Sequence, residues 1–420
     1  MKAPARIALA AVGLLALTSA VVAWLNLRGE APLRADVQAA SDAATVARGA
    51  YLARIGNCAA CHTARGGAPY AGGRGIETPF GVVYASNLTP DPATGLGRWS
   101  ADAFWRAMHH GRSADGRLLY PAFPYPNYTL VTREDSDALF AFLRQVPAVR
   151  QRNAPHALRF PYNTQIALAV WRALYFRPAR FRPDAAQTVE LNRGSYLVRG
   201  LGHCEACHAP RNLLGATQDA GVLAGGLIPM QRWYAPSLAA SSEAGLADWS
   251  VEEITALLTT GVAPRASVMG PMADVVFRST QYLTEADARA MAVYLQGLRT
   301  QAPVARRFVA ADPAVLQAGE ALYRDQCAAC HGAQGEGVPG MYPALAGNRA
   351  VTLHAPNNVV RAVLYGGFPP ATNGNPRPFG MPPFLHSLSD DEVAQVATYI
   401  RQSWEHRATL VSAVDVRRAR

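Results

Sequence analysis

Cys58-Ala59-Ala60-Cys61-His62, Cys204-Glu205-Ala206-Cys207-His208 and Cys327-Ala328-Ala329-Cys330-His331 decide how this chain is read. Each string places two thiols one helical turn apart, with an imidazole immediately after the second. The C-x-x-C-H pattern is the attachment site of a c-type haem. Its spacing follows from the chemistry: the thiols add across the two vinyl groups of one porphyrin, and the adjacent histidine ligates the iron. The three strings use all six cysteines. A zinc site would need a second pair of soft ligands beside each string, and no cysteine is left to supply one. A redox-active dithiol would not require the histidine every time. The sequence therefore predicts three covalent haems c, on Cys58/Cys61, Cys204/Cys207 and Cys327/Cys330, with His62, His208 and His331 as lower iron ligands.

Around each string the same pattern recurs. Before it runs a helix-like segment: Arg48-Gly49-Ala50-Tyr51-Leu52, Arg193-Gly194-Ser195-Tyr196-Leu197 and Gly319-Glu320-Ala321-Leu322-Tyr323. After it comes a middle helix, opened by Ser100 and by Ser250 and closed at Gly111 and Gly261. The third repeat has Val359 to Tyr365 in this place. Each unit ends in a helix with a capping signal: Thr132-x-x-Asp135, Thr284-x-x-Asp287 and Ser389-x-x-Glu392. The pattern predicts an all-α chain of three tandem class-I-like cytochrome c domains, at residues 40–150, 186–300 and 312–405. Residues 151–185 are a basic linker arm with a helix-like run from Thr164 to Phe176. This arm packs on a partner or a neighbouring unit, or straps over its own protein. Residues 406–420 are a basic tail, expected to be solvated or near a membrane surface.

The N-terminus adds a compartment. An uncharged stretch runs from Ile7 to Leu27, long enough to span a bilayer as a transmembrane helix. Trp24 stands where an interfacial aromatic would anchor it. A cleaved signal peptide is the rival reading, with Thr18-Ser19-Ala20 as a small-residue site. In either case covalent haem attachment implies an oxidising, extracytoplasmic compartment. The expected location is the periplasmic side of the inner membrane.

Composition sets the remaining bounds. Over 420 residues, 50% are hydrophobic and 17% charged, which excludes disorder. The net charge of +10 is almost wholly arginine, since Lys2 is the only lysine. That balance favours acidic protein partners or anionic lipid, and no nucleic-acid motif accompanies it.

The upper iron ligand tunes each haem, and methionine raises its potential. Met381, in Gly380-Met381-Pro382-Pro383-Phe384, is the candidate for the third haem. Met272, in Val268-Met269-Gly270-Pro271-Met272, is the candidate for the second and is better placed than Met269. The first repeat has Tyr120-Pro121-Ala122-Phe123-Pro124-Tyr125 in this position, and phenylalanine cannot ligate iron. Met108, His109 and His110 are the alternatives there, unless the site is open.

These motifs resemble those of the membrane-bound three-haem cytochrome c subunits of periplasmic dehydrogenases. The resemblance spans most of residues 40–405. It includes Thr78-Pro79-Phe80-Gly81, Ser86-Asn87-Leu88-Thr89-Pro90-Asp91, Gly270-Pro271-Met272-Ala273, Thr280-Gln281-Tyr282-Leu283 and Met381-Pro382-Pro383-Phe384. It implies an electron relay from a separate catalytic subunit to membrane quinone or a terminal oxidase. That subunit would be a quinoprotein, a flavoprotein or a molybdenum hydroxylase, oxidising an alcohol, aldehyde, sugar acid or N-heterocycle. Phe123 departs from the Tyr-Pro-Ala-Met-Pro-Tyr loop of alcohol-dehydrogenase-type members, which brings the partners of molybdenum hydroxylases equally into view. The chain carries no dinucleotide fingerprint or nucleophile elbow and so no catalytic residue of its own. A self-contained haem enzyme of peroxidase or thiosulfate-oxidising type, or an oxidase subunit, are the rival classes. The enzyme would need an open iron, which only the first haem offers.

Overall fold

The computed structural model describes residues 3–33, 42–218, 222–299 and 308–420. The chain forms two compact bodies, one of Met1–Ala53 with Cys58–Arg182 and one of Arg54–Asn57 with Pro183–Arg420. Both are rich in helix. Among the described residues, three small antiparallel sheets of two- to four-residue strands accompany the helices, a feature that helical periodicity did not anticipate.

In the first body, α1 (Ala3–Leu27) is apolar and long enough to cross a membrane, and its apolar surface is exposed. Helix α2 (Ala43–Ile55) leads to the first Cys-x-x-Cys-His turn. Strands β1 (Gly75–Thr78) and β2 (Gly81–Tyr84) form a hairpin. Helix α3 (Ala101–His110) starts at Ser100, whose hydroxyl accepts from the Ala103 N–H, and ends at Gly111 in the left-handed conformation. Helix α4 (Arg133–Leu143) is capped by Thr132. Glycine at position 49 is required where α2 crosses α4, because a Cβ there would collide with the Ala138 carbonyl oxygen. Arg48 Nε also donates to Asp135 Oδ1 at 2.7 Å across the crossing.

Residues 151–182 strap over this same body. Strand β3 (Ala157–Leu158) pairs with β2, and α5 (Gln165–Tyr175) packs against α1. Leu168, Arg172 and Ala173 face inward on α5. The arm thus packs on its own protein as a strap.

In the second body, α6 (Val189–Tyr196) continues into a π-helical turn, Leu197–Leu201, before the second Cys-x-x-Cys-His. Gly194 stands ten residues before Cys204, whereas Gly49 stands nine before Cys58. The π turn absorbs the extra residue. Strands β4 (Gly226–Leu227) and β5 (Tyr234–Ala235) pair. Helices α7 (Val251–Thr260), α8 (Pro271–Arg278) and α9 (Glu285–Gln296) follow. Gly194 meets the Ala290 carbonyl as Gly49 meets Ala138, and Arg193 makes two bonds of 2.8 Å to Asp287.

Further along this body, α10 (Pro313–Gln326) crosses α12 (Asp390–Gln402) at Gly319, with α11 (Asn357–Tyr365) between them in sequence. Val360, Leu364, Val393, Val396 and Ile400 form the core here. The basic tail, expected to be solvated or near a membrane surface, keeps Arg417 and Arg418 exposed but turns its apolar residues inward. It folds back as α13 (Ala413–Ala419), burying Val416 and Ala419 in this core. Arg401 is fully buried beneath it, bonded to the Thr409 and Val351 carbonyls at 3.0 and 2.7 Å. Apolar tail residues three apart on one helical face outweigh the charge of the arginines, which remain at the surface end of the helix.

Candidate haem sites

All three histidines are oriented in the same way. His62 Nδ1 lies 2.7 Å from the Ser86 carbonyl, His208 Nδ1 2.8 Å from that of Pro236, and His331 Nδ1 3.0 Å from that of Pro343. A carbonyl acceptor fixes the proton on Nδ1 and leaves the Nε2 lone pair available for a metal. Burial lowers the pKa of all three rings, while the carbonyl contacts oppose the shift. Neutral imidazole is the form that ligates iron. Each ring follows its two cysteines within one short helical turn.

The six cysteines are free of disulfides. As thiols, burial pushes Cys58 and Cys204 up to about 12 and Cys327 to about 11; the paired cysteine adds to the shift, after Glu205 in the case of Cys204. Among the described residues, no cluster of three or more His, Cys, Asp and Glu side chains is arranged to hold a metal ion. Two thiols and one oriented imidazole on a single short turn suit a porphyrin that brings its own iron; a zinc site would need further ligands. In the first two sites an arginine also closes the turn. Arg74 donates to the Ala60 carbonyl, and Arg211 donates to that of Ala206 at 2.8 Å.

The methionine candidates lie in well-defined loops. Met381 exchanges backbone bonds of 2.8 and 3.0 Å with Gly367, and it packs on the same core cluster as Cys327. Met272 occupies the first turn of α8, after Gly270, whose φ of 57° lets it sit against the Trp233 ring. Met269 sends its methyl group toward Gly367.

The first site differs. Met108, His109 and His110 are all buried on α3. His109 stacks on Trp105 at 4.4 Å, and His110 stands edge-on to His109. Burial, then Arg180, brings His109 down to about 4. Burial, then His109 and three arginines, brings His110 to about 3. These rings therefore sit among the arginines of the strap. Beside Cys58 and Cys61 lies Tyr128, its hydroxyl pKa raised by burial and then by the two thiols. The Phe123 ring packs on Tyr128 with centroids 5.4 Å apart.

Sequence reasoning missed the three carbonyl acceptors. For two of them a signal was present, since Pro236 and Pro343 cannot belong to a helix interior and mark a loop beside the motif. Ser86 carries no such mark.

Comparison with known proteins adds the context. The cytochrome c family profile matches residues 46–147 and 316–404. The chain is 39% identical over 398 residues to the cytochrome c subunit of the quinone-type alcohol dehydrogenase of Gluconacetobacter polyoxogenes, covering 90% of this chain and 85% of that one. It is 38% identical over 391 residues to the gluconate 2-dehydrogenase cytochrome c subunit of Pantoea cypripedii, covering 89% of each. It is 34% identical over 403 residues to the fructose dehydrogenase cytochrome subunit of Gluconobacter japonicus, covering 90% of this chain and 82% of that one.

Proposed function

Because this chain belongs to the family of cytochrome c subunits of dehydrogenases, we propose that it relays electrons from a separate dehydrogenase subunit through three covalently held haems c. The observation that carries this reading is the repeated geometry of His62, His208 and His331, each beside two free thiols and each held through Nδ1 by a backbone carbonyl. Haem c, when bound, supplies the one-electron iron couple that such a relay needs. The cysteine pairs would tether it, and the histidines, through Nε2, with Met272 and Met381 in the second and third domains, would ligate its iron. Residues 40–150, 186–300 and 312–405 are these domains. The catalytic partner is a quinoprotein, flavoprotein or molybdenum hydroxylase, and electrons leave to membrane quinone or a terminal oxidase.

The same reading places the chain on the periplasmic side of the cytoplasmic membrane, with α1 retained as its anchor. Two observations support it. Asn26, near the end of α1, is built into the first body, with its Nδ2 donating to the Ala169 carbonyl at 2.9 Å. Beside this junction, Ile166, Val170 and Leu174 of α5 present an apolar stripe to the outside. A stripe of this kind next to a membrane span suits the lipid interface.

The test is isolation of the native complex from membranes. Intact mass should show three haems on this chain, and a larger non-haem dehydrogenase subunit should co-purify with it. Turnover of peroxide or thiosulfate by the purified chain alone, with no such subunit, would overturn the relay.

A further inference from the structure

The peptide group between Pro236 and Ser237 is held at both ends. Its carbonyl accepts from His208 Nδ1 at 2.8 Å, and its N–H donates to Glu243 Oε2 at 2.7 Å. A carboxylate, a peptide and an imidazole are thus joined in one hydrogen-bonded chain. Donation of the N–H to an anion moves electron density onto the carbonyl oxygen and strengthens it as an acceptor. A stronger acceptor on Nδ1 makes the imidazole a more basic ligand, which favours the oxidised metal.

Glu243 is firmly placed for this role. Its side chain is 13% exposed and also accepts from the Tyr234 hydroxyl at 3.1 Å, while His354 Nδ1 lies 2.9 Å from its other oxygen. Asn358, at the start of α11, brackets the same loop, accepting from the Tyr234 N–H at 2.9 Å and donating to its carbonyl at 2.8 Å. The third repeat therefore helps to hold the loop that orients the second repeat's histidine.

The first site offers a built-in comparison. There the peptide between Ser86 and Asn87 accepts from His62, and its N–H donates to the side-chain oxygen of Asn153 at 2.7 Å. The acceptor at the same place is a neutral amide. In the third site the corresponding N–H, on Ala344, has no protein acceptor among the described residues.

We infer that Glu243 is a positioning residue for the second haem: acting through the Pro236–Ser237 peptide, its charge strengthens His208 as a ligand and lowers that haem's reduction potential below that of the third. This rests on the assignment of His208 as an iron ligand. The experiment is potentiometric titration followed by EPR on the full chain. Glu243→Gln keeps the size and the acceptor but removes the charge. It should raise the potential of one haem by about tenfold in its reduction equilibrium, about 59 mV for one electron, and leave the others in place. Asn153→Asp should lower the potential of a different haem. If all three potentials stay unmoved in both variants with haem content intact, the inference is overturned. His208→Met separates the two failures. An unchanged spectrum at every haem removes His208 as a ligand and with it the premise, whereas a change at one haem leaves the ligand assignment standing and confines any failure to Glu243.

Discussion

Arg172 Nε donates to the side-chain oxygen of Asn26 at 2.9 Å, joining the strap to the end of the apolar helix across 146 residues of sequence. The guanidinium is almost wholly buried, and its face also lies over the Phe176 ring at 4.8 Å. Nearby, Arg112 pairs with Glu30 at 2.9 Å. Hydrogen bonds to charged groups contribute about 1.5–3 kcal/mol each. Arg172→Met should therefore destabilise the first body by about 2 kcal/mol, read as a lower denaturation midpoint. In the same preparation, mass analysis of the unmodified protein should find a mature N-terminus near Met1. A terminus just after Ala20 or Ala23 would show that the helix is removed.

The apolar stripe on α5 gives a second membrane test. Ile166 and Leu174 are 80% and 58% exposed. With residues 1–27 deleted, the chain should still bind vesicles of mixed neutral and anionic lipid. Ile166→Ser, Val170→Ser and Leu174→Ser together should release it by at least tenfold in flotation assays, with haem content unchanged. Equal binding by both forms would remove α5 from the membrane.

Ligand identity is read from spin state. Met381→Leu and Met272→Leu should each convert one haem, and a different one, from low spin to high spin. Each should also lower that haem's potential, since methionine is the ligand that raises it. A silent Met272→Leu paired with an active Met269→Leu would transfer the role to the neighbouring loop position.

The first haem behaves differently. Tyr128 lies beside the thiols and Phe123 packs on it; with the upper position open, as one of the alternatives has it, the reduced wild-type protein should bind one carbon monoxide per chain. Phe123→Met should abolish that binding and raise one potential. If wild type binds none, and Met108→Leu, His109→Ala or His110→Ala creates a high-spin haem, the altered residue is the ligand.

The helix crossings make a stability prediction. Gly194→Ala puts a methyl group against the Ala290 carbonyl and the Tyr294 Cβ. Neither neighbour is the flexible end of a side chain, so the helices must separate. Overpacking of this kind costs about 1–3 kcal/mol, measurable by denaturation of the haem-loaded protein.

Much of this arrangement was legible in the sequence. The caps at Ser100, Thr132, Ser250, Thr284 and Ser389 each satisfy a backbone N–H at the helix start, as their residue types and spacing foretold. The closing glycines 111 and 261 are both left-handed. These signals are local, so neighbouring residues suffice to read them. The strap and the tail were harder, because their placement depends on partners far along the chain: Asn26 for Arg172, and the α12 core for Val416. The carbonyls facing the histidines were invisible for another reason. Any residue has a carbonyl, so the identity of Ser86 says nothing about where its oxygen points.

The π turn at Leu197–Leu201 reveals how the distance between scaffold and tether is regulated. In a plain α-helix, one inserted residue rotates everything beyond it by about 100°, which would swing a pair of thiols off its mark. The wider turn takes up that rotation locally, so both the glycine crossing behind it and the cysteines ahead of it keep their bearings. Removing a single residue from 197–201 should accordingly leave haem attachment intact by reverting the segment to ordinary helix. Elsewhere length is taken up differently: Gly56 and Asn57 form a turn between α2 and Cys58, and the third repeat runs only eight residues from Gly319 to Cys327. The spacing between scaffold and tether is thus set differently in otherwise parallel repeats.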